Sequence, residues 1–429
     1  MMMSMSSALL TDHYELTMVQ AALRSGAASR RTVFEVFARQ LPGGRRYGVV
    51  AGTGRVLEAL EAFRFGDEEL AFLRDNQVVD APTLDFLAGY RFSGDLYGYR
   101  EGECYFPGSP IMTVEGTFAE AVLLETVILS ILNHDCAIAT AASRMVRAAG
   151  TRPLVEMGSR RTHEAAAVAA ARAAYVSGFA STSNLMARHR YGVPTTGTAA
   201  HAFTLLHDSE RQAFRAQLDS LGERTTLLVD TYDVAEAVRT GVELAGPDLG
   251  AVRLDSGDLA EAAHAVRAQL DALGAGKTRI LVTSDLDEYT IAALSAAPVD
   301  AYGVGTSLVT GSGVPTAALV YKLVVREDAD GIMQPVAKRS VGKPSRGGRK
   351  EAFRQLDPAG TAVAELVTVS GERPESARPL QAELVRGGET VGREGLEAAR
   401  LRHREAVAEL PPEAHQLSRG YAAVPTVFD

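Results

Sequence analysis

Between about residues 150 and 310 the chain repeats one texture: a short apolar run, a polar or glycine-containing end, then an alanine-rich or amphipathic stretch. That alternation is the pattern of strand–helix units, and the strands must run parallel because a parallel pair needs a crossover of a dozen or more residues. The candidate strand ends are "PLVEMGSRR", "VPTTGTAAHAF", "TLLVDTYD", "AVRLDSGD", "RILVTSDLD" and "AYGVGTSLV", marked by Gly158, His201, Asp230, Asp255, Asp285 and Gly305. Between them "AEAVRTGVELAG", "LAEAAHAVRAQLDALG" and "DEYTIAALSAA" have helical periodicity, and two of these run into a closing glycine. Six consecutive units predict an α/β fold built on a closed, irregular TIM-like parallel α/β barrel in preference to an open sheet.

The flanks read differently. A helix-like "YELTMVQAAL" and short runs such as "TVFEVFAR" and "LYGYREGECYF" predict an N-terminal α+β domain over residues 1–135. The barrel is assigned to 136–345. The C-terminal segment 346–429, entered through the basic "KPSRGGRKEAFR" and ending in a helix-like "LEAARLRHREAVAEL", is expected to return to the N-terminal domain or cap the barrel. At 429 residues the chain is longer than one hydrophobic core usually supports, which fits a barrel plus a satellite domain.

Charge and cysteine usage exclude several classes. The net charge is −9 and no basic block of five occurs, so a nucleic-acid footprint is missing. The most apolar segment, "FAEAVLLETVILSILNHD", carries Glu120 and Glu125 and is short for a membrane span, which predicts a buried helix and no membrane partner. Cys104 and Cys136 lack metal-type spacing and no signal peptide precedes them, so they are expected to be idle thiols of a cytoplasmic protein.

In a parallel barrel the carboxyl ends of all strands open on one face, so polar residues there converge although they are distant in sequence. "AVRLDSGDLA" packs Arg253, Asp255, Ser256, Gly257 and Asp258 against a strand end. Asp255 there can hold sugar hydroxyls or a magnesium ion and Arg253 can pair with an anion, while the plainer alternative is that Asp255 or Ser256 caps the next helix. Asp230, Asp233, Ser284 and Asp285 occupy equivalent ends, and "YGVGTS" places Gly303 and Gly305 before Thr306, a loop able to cradle a phosphate or simply to turn. Arg160 and Arg161 follow another strand, either as a surface pair or with one facing the pocket. His201 is the one histidine of nine at a predicted strand end, as a structural hydrogen-bonder or as a reactive group. Acids, cations and a glycine loop at successive ends together point to a sugar phosphate.

Taken in order, "TDHYELTM", "LLETVILSILN", "EMGSRR", "GFASTSN", "GTAAHAF", "VRLDSGD", "VTSDLDE", "YGVGTSLVT" and "YKLV" resemble the nicotinate phosphoribosyltransferase family over almost the full length. The resemblance implies a type II phosphoribosyltransferase: transfer of the phosphoribosyl group from phosphoribosyl pyrophosphate to nicotinate, giving nicotinate mononucleotide and pyrophosphate, with Mg2+ and with ATP as co-substrate. It implies an irregular barrel packed on a mixed α+β domain, and a homodimer with active sites at the subunit interface. His201 matches the family's phosphorylated histidine, an imidazole being a competent nucleophile and phosphate leaving group near neutral pH. Asp255 and Arg253 match the pair that holds ribose and ligand, with Asp255 a possible indirect magnesium contact, and Arg160 matches a ligand-site arginine. Ser284, Asp285, Gly305 and Thr306 match the loops around the 5′-phosphate. Tyr14 resembles an aromatic that stacks on the pyridine across the dimer interface, and Arg39, Lys343 and Lys350 resemble phosphate contacts from the partner subunit. Ser183 falls where nicotinamide-using relatives carry an aspartate; its hydroxyl can donate to nicotinate's carboxylate, which an aspartate would repel. Met157 stands where the family often has an aromatic over the pyridine, and His13 where an aliphatic residue is commoner.

Other readings of the same pattern are weaker. A phosphate-binding aldolase needs a lysine at a strand end, but Lys277 precedes its strand and Lys322 lies past the last motif. A regulatory relative without turnover would not need His201, Asp255 and Arg253 together. A quinolinate-using transferase needs more cations for its dicarboxylate.

Overall fold

The structure is a computed structural model that describes residues 6–338, 345–369 and 371–429. The chain divides into two compact units, one of Met1–Thr140 with Val314–Asp429 and the other of Ala141–Gly313.

The second unit holds six parallel strands: β1 (Leu154–Glu156), β2 (Ser181–Thr182), β3 (Thr226–Leu228), β4 (Ala251–Leu254), β5 (Arg279–Val282) and β6 (Ala301–Val304). Their order in the sheet is β2-β1-β6-β5-β4-β3. Val252, Ile280, Val282, Tyr302 and Val304 are fully buried, which is why these strands read as continuous apolar runs and not as alternating ones. Helices between the strands start on side-chain caps. Asp233 accepts from Glu236 N ahead of Val234–Ala245, and Asp258 accepts from Ala260 N and Glu261 N ahead of Leu259–Ala272.

The expected α/β architecture on a curled, barrel-like parallel sheet holds, in the form of a half-barrel: among the described residues no pairing joins β2 to β3. One expectation is corrected here. "VPTTGTAAHAF" is not a strand: apart from one bridge from Thr195 to Thr182 it is a loop that enters the short helix His201–Leu206. Pro194 has no N–H to give a ladder and Gly197 packs nothing, so the sheet position goes to β2 within "GFASTSN".

The first unit draws on both ends of the chain. Its seven-stranded sheet runs Met333–Pro335, Leu319–Glu327, Arg31–Ala38, Met112–Thr117, Asp95–Tyr99, Gln381–Arg386, Glu389–Thr390, with antiparallel neighbours throughout. The nine-residue strand Leu319–Glu327, expected inside the barrel, pairs instead with Arg31–Ala38, so the barrel unit ends at 313 and not at 345. No helix follows that strand to return the chain in parallel, and it turns back as a hairpin with Met333–Pro335. The tail rejoins the N-terminal segment through Gln381–Arg386 beside Asp95–Tyr99. Phe34 stacks on Tyr321 at 4.8 Å in the core of this unit. The helical stretch Phe118–Ala149 is longer than its apolar segment suggested: at 32 residues, with a most apolar 18-residue window of mean hydropathy 1.6, it meets the length and composition of a membrane span, yet 61% of that window is buried within the fold, as in a core helix.

Candidate active site

A cleft of about 470 Å³ opens where β1, β2, β4, β5 and β6 end, a size suited to a small-molecule ligand. Ten residues that the family resemblance points to line it together: Met157, Arg160, Ser183, His201, Arg253, Asp255, Ser284, Asp285, Gly305 and Thr306. Each follows or ends a strand, except His201, which the loop 193–200 delivers as the first residue of its helix.

The centre of the cleft is a knot of charge. His201 Nδ1 lies 3.1 Å from Thr231 Oγ1, and its Nε2 lies 3.9 Å from both Asp230 Oδ1 and Asp255 Oδ2. Asp230 is the residue the sequence reading passed over as a site residue. Its side chain is 4% exposed, Oδ2 accepts from Asp255 N at 2.8 Å and Ser256 Oγ at 2.7 Å, and Oδ1 is buried without a hydrogen-bond donor. The available signal was its equivalence to Asp255 at the end of the neighbouring strand. Thr283 Oγ1 donates to Asp255 Oδ1 at 2.5 Å, which leaves Oδ2 facing the histidine. Arg253 Nη1 donates to Thr198 Oγ1 at 2.6 Å, and its Nε is buried with no acceptor. Burial pulls the Arg253 pKa below the ordinary guanidinium value against the pull of Asp255 and Asp230. A buried orphan donor beside a buried orphan acceptor is a site prepared for a polar ligand.

The question left open at "AVRLDSGD" has a definite outcome. Asp258, not Asp255 or Ser256, caps the helix, so Asp255 is free to line the cleft. The same division recurs in two further units: Asp230 faces His201 while Asp233 caps, and Asp285 lines the cleft while Asp287 caps Glu288–Ala293. Ser284 holds a left-handed backbone, φ 98°, a conformation that costs a non-glycine residue roughly 1–3 kcal/mol and is kept where the surroundings demand it. Gly303 is required by packing: a Cβ there would lie 2.5 Å from Thr283 Cγ2 and 2.8 Å from Met157 Sδ.

The remaining candidates belong to the first unit and are not brought into this cleft. Tyr14 sits on the helix His13–Ser25, 46% exposed, with its hydroxyl bonded to Glu125; burial and the neighbouring carboxylates push its pKa up to about 12. Arg39 lines a separate pocket of about 590 Å³ with Phe37, Arg346 and Phe428, and its buried Nε has no acceptor. Lys350 is at the edge of that pocket, but it is not free to make the phosphate contact that the resemblance implies. It is 2% exposed and donates to Glu35 Oε2 at 2.9 Å and to the carbonyls of Arg346 and Gly348 at 2.9 and 3.2 Å. An ammonium has three protons and these partners use all three, so Lys350 props up the pocket and has none left for a phosphate. Lys343 lies outside the described residues.

Comparison with known proteins agrees with this geometry. The family model for the nicotinate phosphoribosyltransferase N-terminal domain matches residues 9–133, and that for the quinolinate phosphoribosyl transferase C-terminal domain matches residues 138–313. The nicotinate phosphoribosyltransferase pncB1 of Mycobacterium tuberculosis is 58% identical over 97% of this chain and 94% of its own length. The nicotinate phosphoribosyltransferase of Bacillus subtilis is 39% identical over 82% of this chain and 74% of its own. The crystal structure of human nicotinic acid phosphoribosyltransferase superposes with a TM-score of 0.83 at 26% identity, covering 98% of this chain and 97% of that one. The ordered motifs, the strand-end cleft and these full-length matches have one reading: the chain belongs to the nicotinate phosphoribosyltransferase family.

Proposed function

We propose that the protein transfers the phosphoribosyl group of phosphoribosyl pyrophosphate to nicotinate, forming nicotinate mononucleotide and pyrophosphate, a step of NAD salvage. The observation that carries this is the gathering of His201, Asp230, Arg253 and Asp255 with the Ser284 and Gly305 loops around one cleft in a chain of this family. Glycosyl transfer develops positive charge on the ribose ring, and the carboxylates of Asp255 and Asp230 stabilise it where it forms. Arg160 and Arg253 hold anionic groups of the substrates, Thr306 and the Gly303–Gly305 loop take the 5′-phosphate, and Ser183 donates to the pyridine carboxylate.

ATP is the co-substrate in this reading, and His201 is the residue it phosphorylates. Thr231 Oγ1 engages Nδ1, so that Nε2, 3.9 Å from Asp230 and Asp255, stays available. For Mg2+ the donor set fits. Asp230 Oδ1 is an unpaired buried oxygen and Asp255 Oδ2 a partly exposed one, hard oxygen ligands that would hold a magnesium ion. When bound, magnesium supplies positive charge to the departing pyrophosphate.

The active assembly in this reading is a homodimer. Tyr14 of the partner subunit stacks on the pyridine and Arg39 of the partner subunit meets a phosphate, which gives employment to an exposed aromatic and a buried guanidinium without an acceptor. Two free, buried cysteines suit a cytoplasmic setting, and neither nucleic acid nor membrane is a partner.

The test is turnover by purified protein with phosphoribosyl pyrophosphate and Mg2+, offered nicotinate, nicotinamide or quinolinate in parallel, with and without ATP. Nicotinate should be used far better than the other two, with stimulation by ATP. His201→Ala should abolish ATP hydrolysis and ATP stimulation while keeping some ATP-independent transfer. Undiminished ATP hydrolysis in that variant would refute the phosphohistidine, and preference for quinolinate would refute the substrate.

A further inference from the structure

Glu156 ends β1 with 0% exposure and faces no cation within bonding distance among the described residues, although removing a carboxyl from water is costly unless something holds it. Its two oxygens are both engaged. Oε1 accepts from Gly158 N at 2.5 Å, and Oε2 accepts from Thr182 Oγ1 at the end of β2. Thr182 Oγ1, itself in a fully buried residue, accepts in turn from Asn184 N at 2.9 Å. Asn184 Nδ2 donates to Ser159 Oγ at 3.0 Å, while Asn184 Oδ1 caps the following helix through Ala187 N at 2.9 Å. Ser183 N donates to the Glu156 carbonyl at 2.8 Å. The bonds close a ring through Glu156, Thr182, Asn184 and Ser159.

The two residues between and beside these anchors are Ser183, flanked by Thr182 and Asn184, and Arg160, directly after Ser159. Both are exposed in the cleft. We infer that this ring is the positioning device for carboxylate recognition: it fixes Ser183 and Arg160 at the separation that admits a pyridine carboxylate and disfavours the neutral amide. The inference rests on the proposed use of nicotinate. Its logic is rigidity. Two short loops at the ends of β1 and β2 would each wander without a shared anchor, and small misplacements of binding groups cost large factors in rate and selectivity. Glu156 and Thr182 touch no substrate; they act through the residues they hold.

Thr182→Val keeps the buried shape and removes both of the ring's bonds at that hydroxyl. It should raise the KM for nicotinate about tenfold, the size of one lost hydrogen bond, and lower the preference for nicotinate over nicotinamide by a similar factor. The kcat and the KM for phosphoribosyl pyrophosphate should stay within about twofold, and Thr182→Ser, which restores the hydroxyl, should return the nicotinate KM to the wild-type value. Ser159→Ala opens the ring at its half-buried end without disturbing the core and should shift the nicotinate KM in the same direction by about threefold, which guards against a folding defect in the valine variant. A nicotinate KM unmoved in both variants, or an equal loss in kcat and both KM values not rescued by serine, would overturn the inference alone. A wild-type chain that does not use nicotinate would overturn the reading of the whole site, and this inference with it.

Discussion

At the scale of single residues, the proposed reading puts substrate choice on Ser183, exposed at the end of β2 on the rim of the cleft. An aspartate there places a negative charge against the negative carboxylate of nicotinate, and like charges in a partly desolvated cleft cost several kcal/mol. Ser183→Asp should therefore lower kcat/KM for nicotinate by at least about a hundredfold with little change in thermal midpoint, because the side chain is exposed. Unchanged nicotinate turnover would remove Ser183 from substrate selection. Residues of this kind were legible from the sequence because each ends an apolar run, and strand ends in such a sheet have one place to go. Asp230 was legible only as a strand-end acid. Nothing in "LLVDTYD" tells that its Oδ1 stays unpaired beside His201, since that depends on Ser256 and the Asp255 amide arriving from a neighbouring unit. Lys350 misled for a related reason: a lysine in a basic glycine-rich run reads as exposed, and only the pairing that brings Glu35 to it shows that it is buried.

At the scale of elements, three strand–helix units use one acid for the cleft and another, two or three residues later, for the helix, and this predicts opposite failures for neighbouring aspartates. Asp258→Ala removes the cap of Leu259–Ala272 and should cost about 1 kcal/mol of stability with kcat near wild type. Asp255→Ala should leave the thermal midpoint within a degree or two and abolish turnover. Equal effects of the two on melting and on turnover would dissolve the division of labour. The period that predicted these units could not separate a closed barrel from a half-barrel, because both are made of the same local pieces and differ only in whether the edge strands meet. Nor could it see that "LVYKLVVRE" pairs antiparallel, since a long apolar strand looks alike in either sheet.

A second element, the helix Leu396–Ala408, carries a pH dependence. His403 is buried on it, Nδ1 3.3 Å from the Gly102 carbonyl, and the helix approaches so closely that a Cβ on Gly102 would meet the Ala399 carbonyl at 2.1 Å. Burial lowers the His403 pKa from 6.5 to about 4. A depressed folded-state pKa means the neutral ring is the stable form, so its contribution is complete above the unfolded value near 6.5 and is lost as pH falls through about 4. The loss amounts to about 3 kcal/mol, and urea unfolding followed from pH 7 to pH 4 should show it. His403→Gln, which cannot titrate, should flatten that part of the curve; a variant that keeps the full acid slope would place its origin elsewhere.

At the scale of the whole molecule, the homodimer proposed above makes a prediction that a site built within one subunit does not. All ten cleft residues read from the sequence lie between 157 and 306, whereas Tyr14 and Arg39 lie in the first unit, an exposed ring and a guanidinium with a buried Nε that has no acceptor. If a homodimer brings the Arg39 of one subunit to the cleft of the other, two variants that each lack ATP-stimulated transfer must complement each other. His201→Ala removes ATP-stimulated transfer from the cleft of its own subunit, and Arg39→Ala removes it from the cleft of its partner. A mixed dimer then holds one site with both defects and one with neither. After subunit exchange of equal amounts, half of the dimers are mixed, so ATP-stimulated transfer should recover to about a quarter of the wild-type specific activity. Sites built entirely within one chain cannot complement, because each variant would carry its defect into every site it forms. Recovery that rises with exchange time and vanishes when the subunits are cross-linked before mixing would therefore locate the reaction between two copies of the chain, and its absence under proven exchange would confine the chemistry to one.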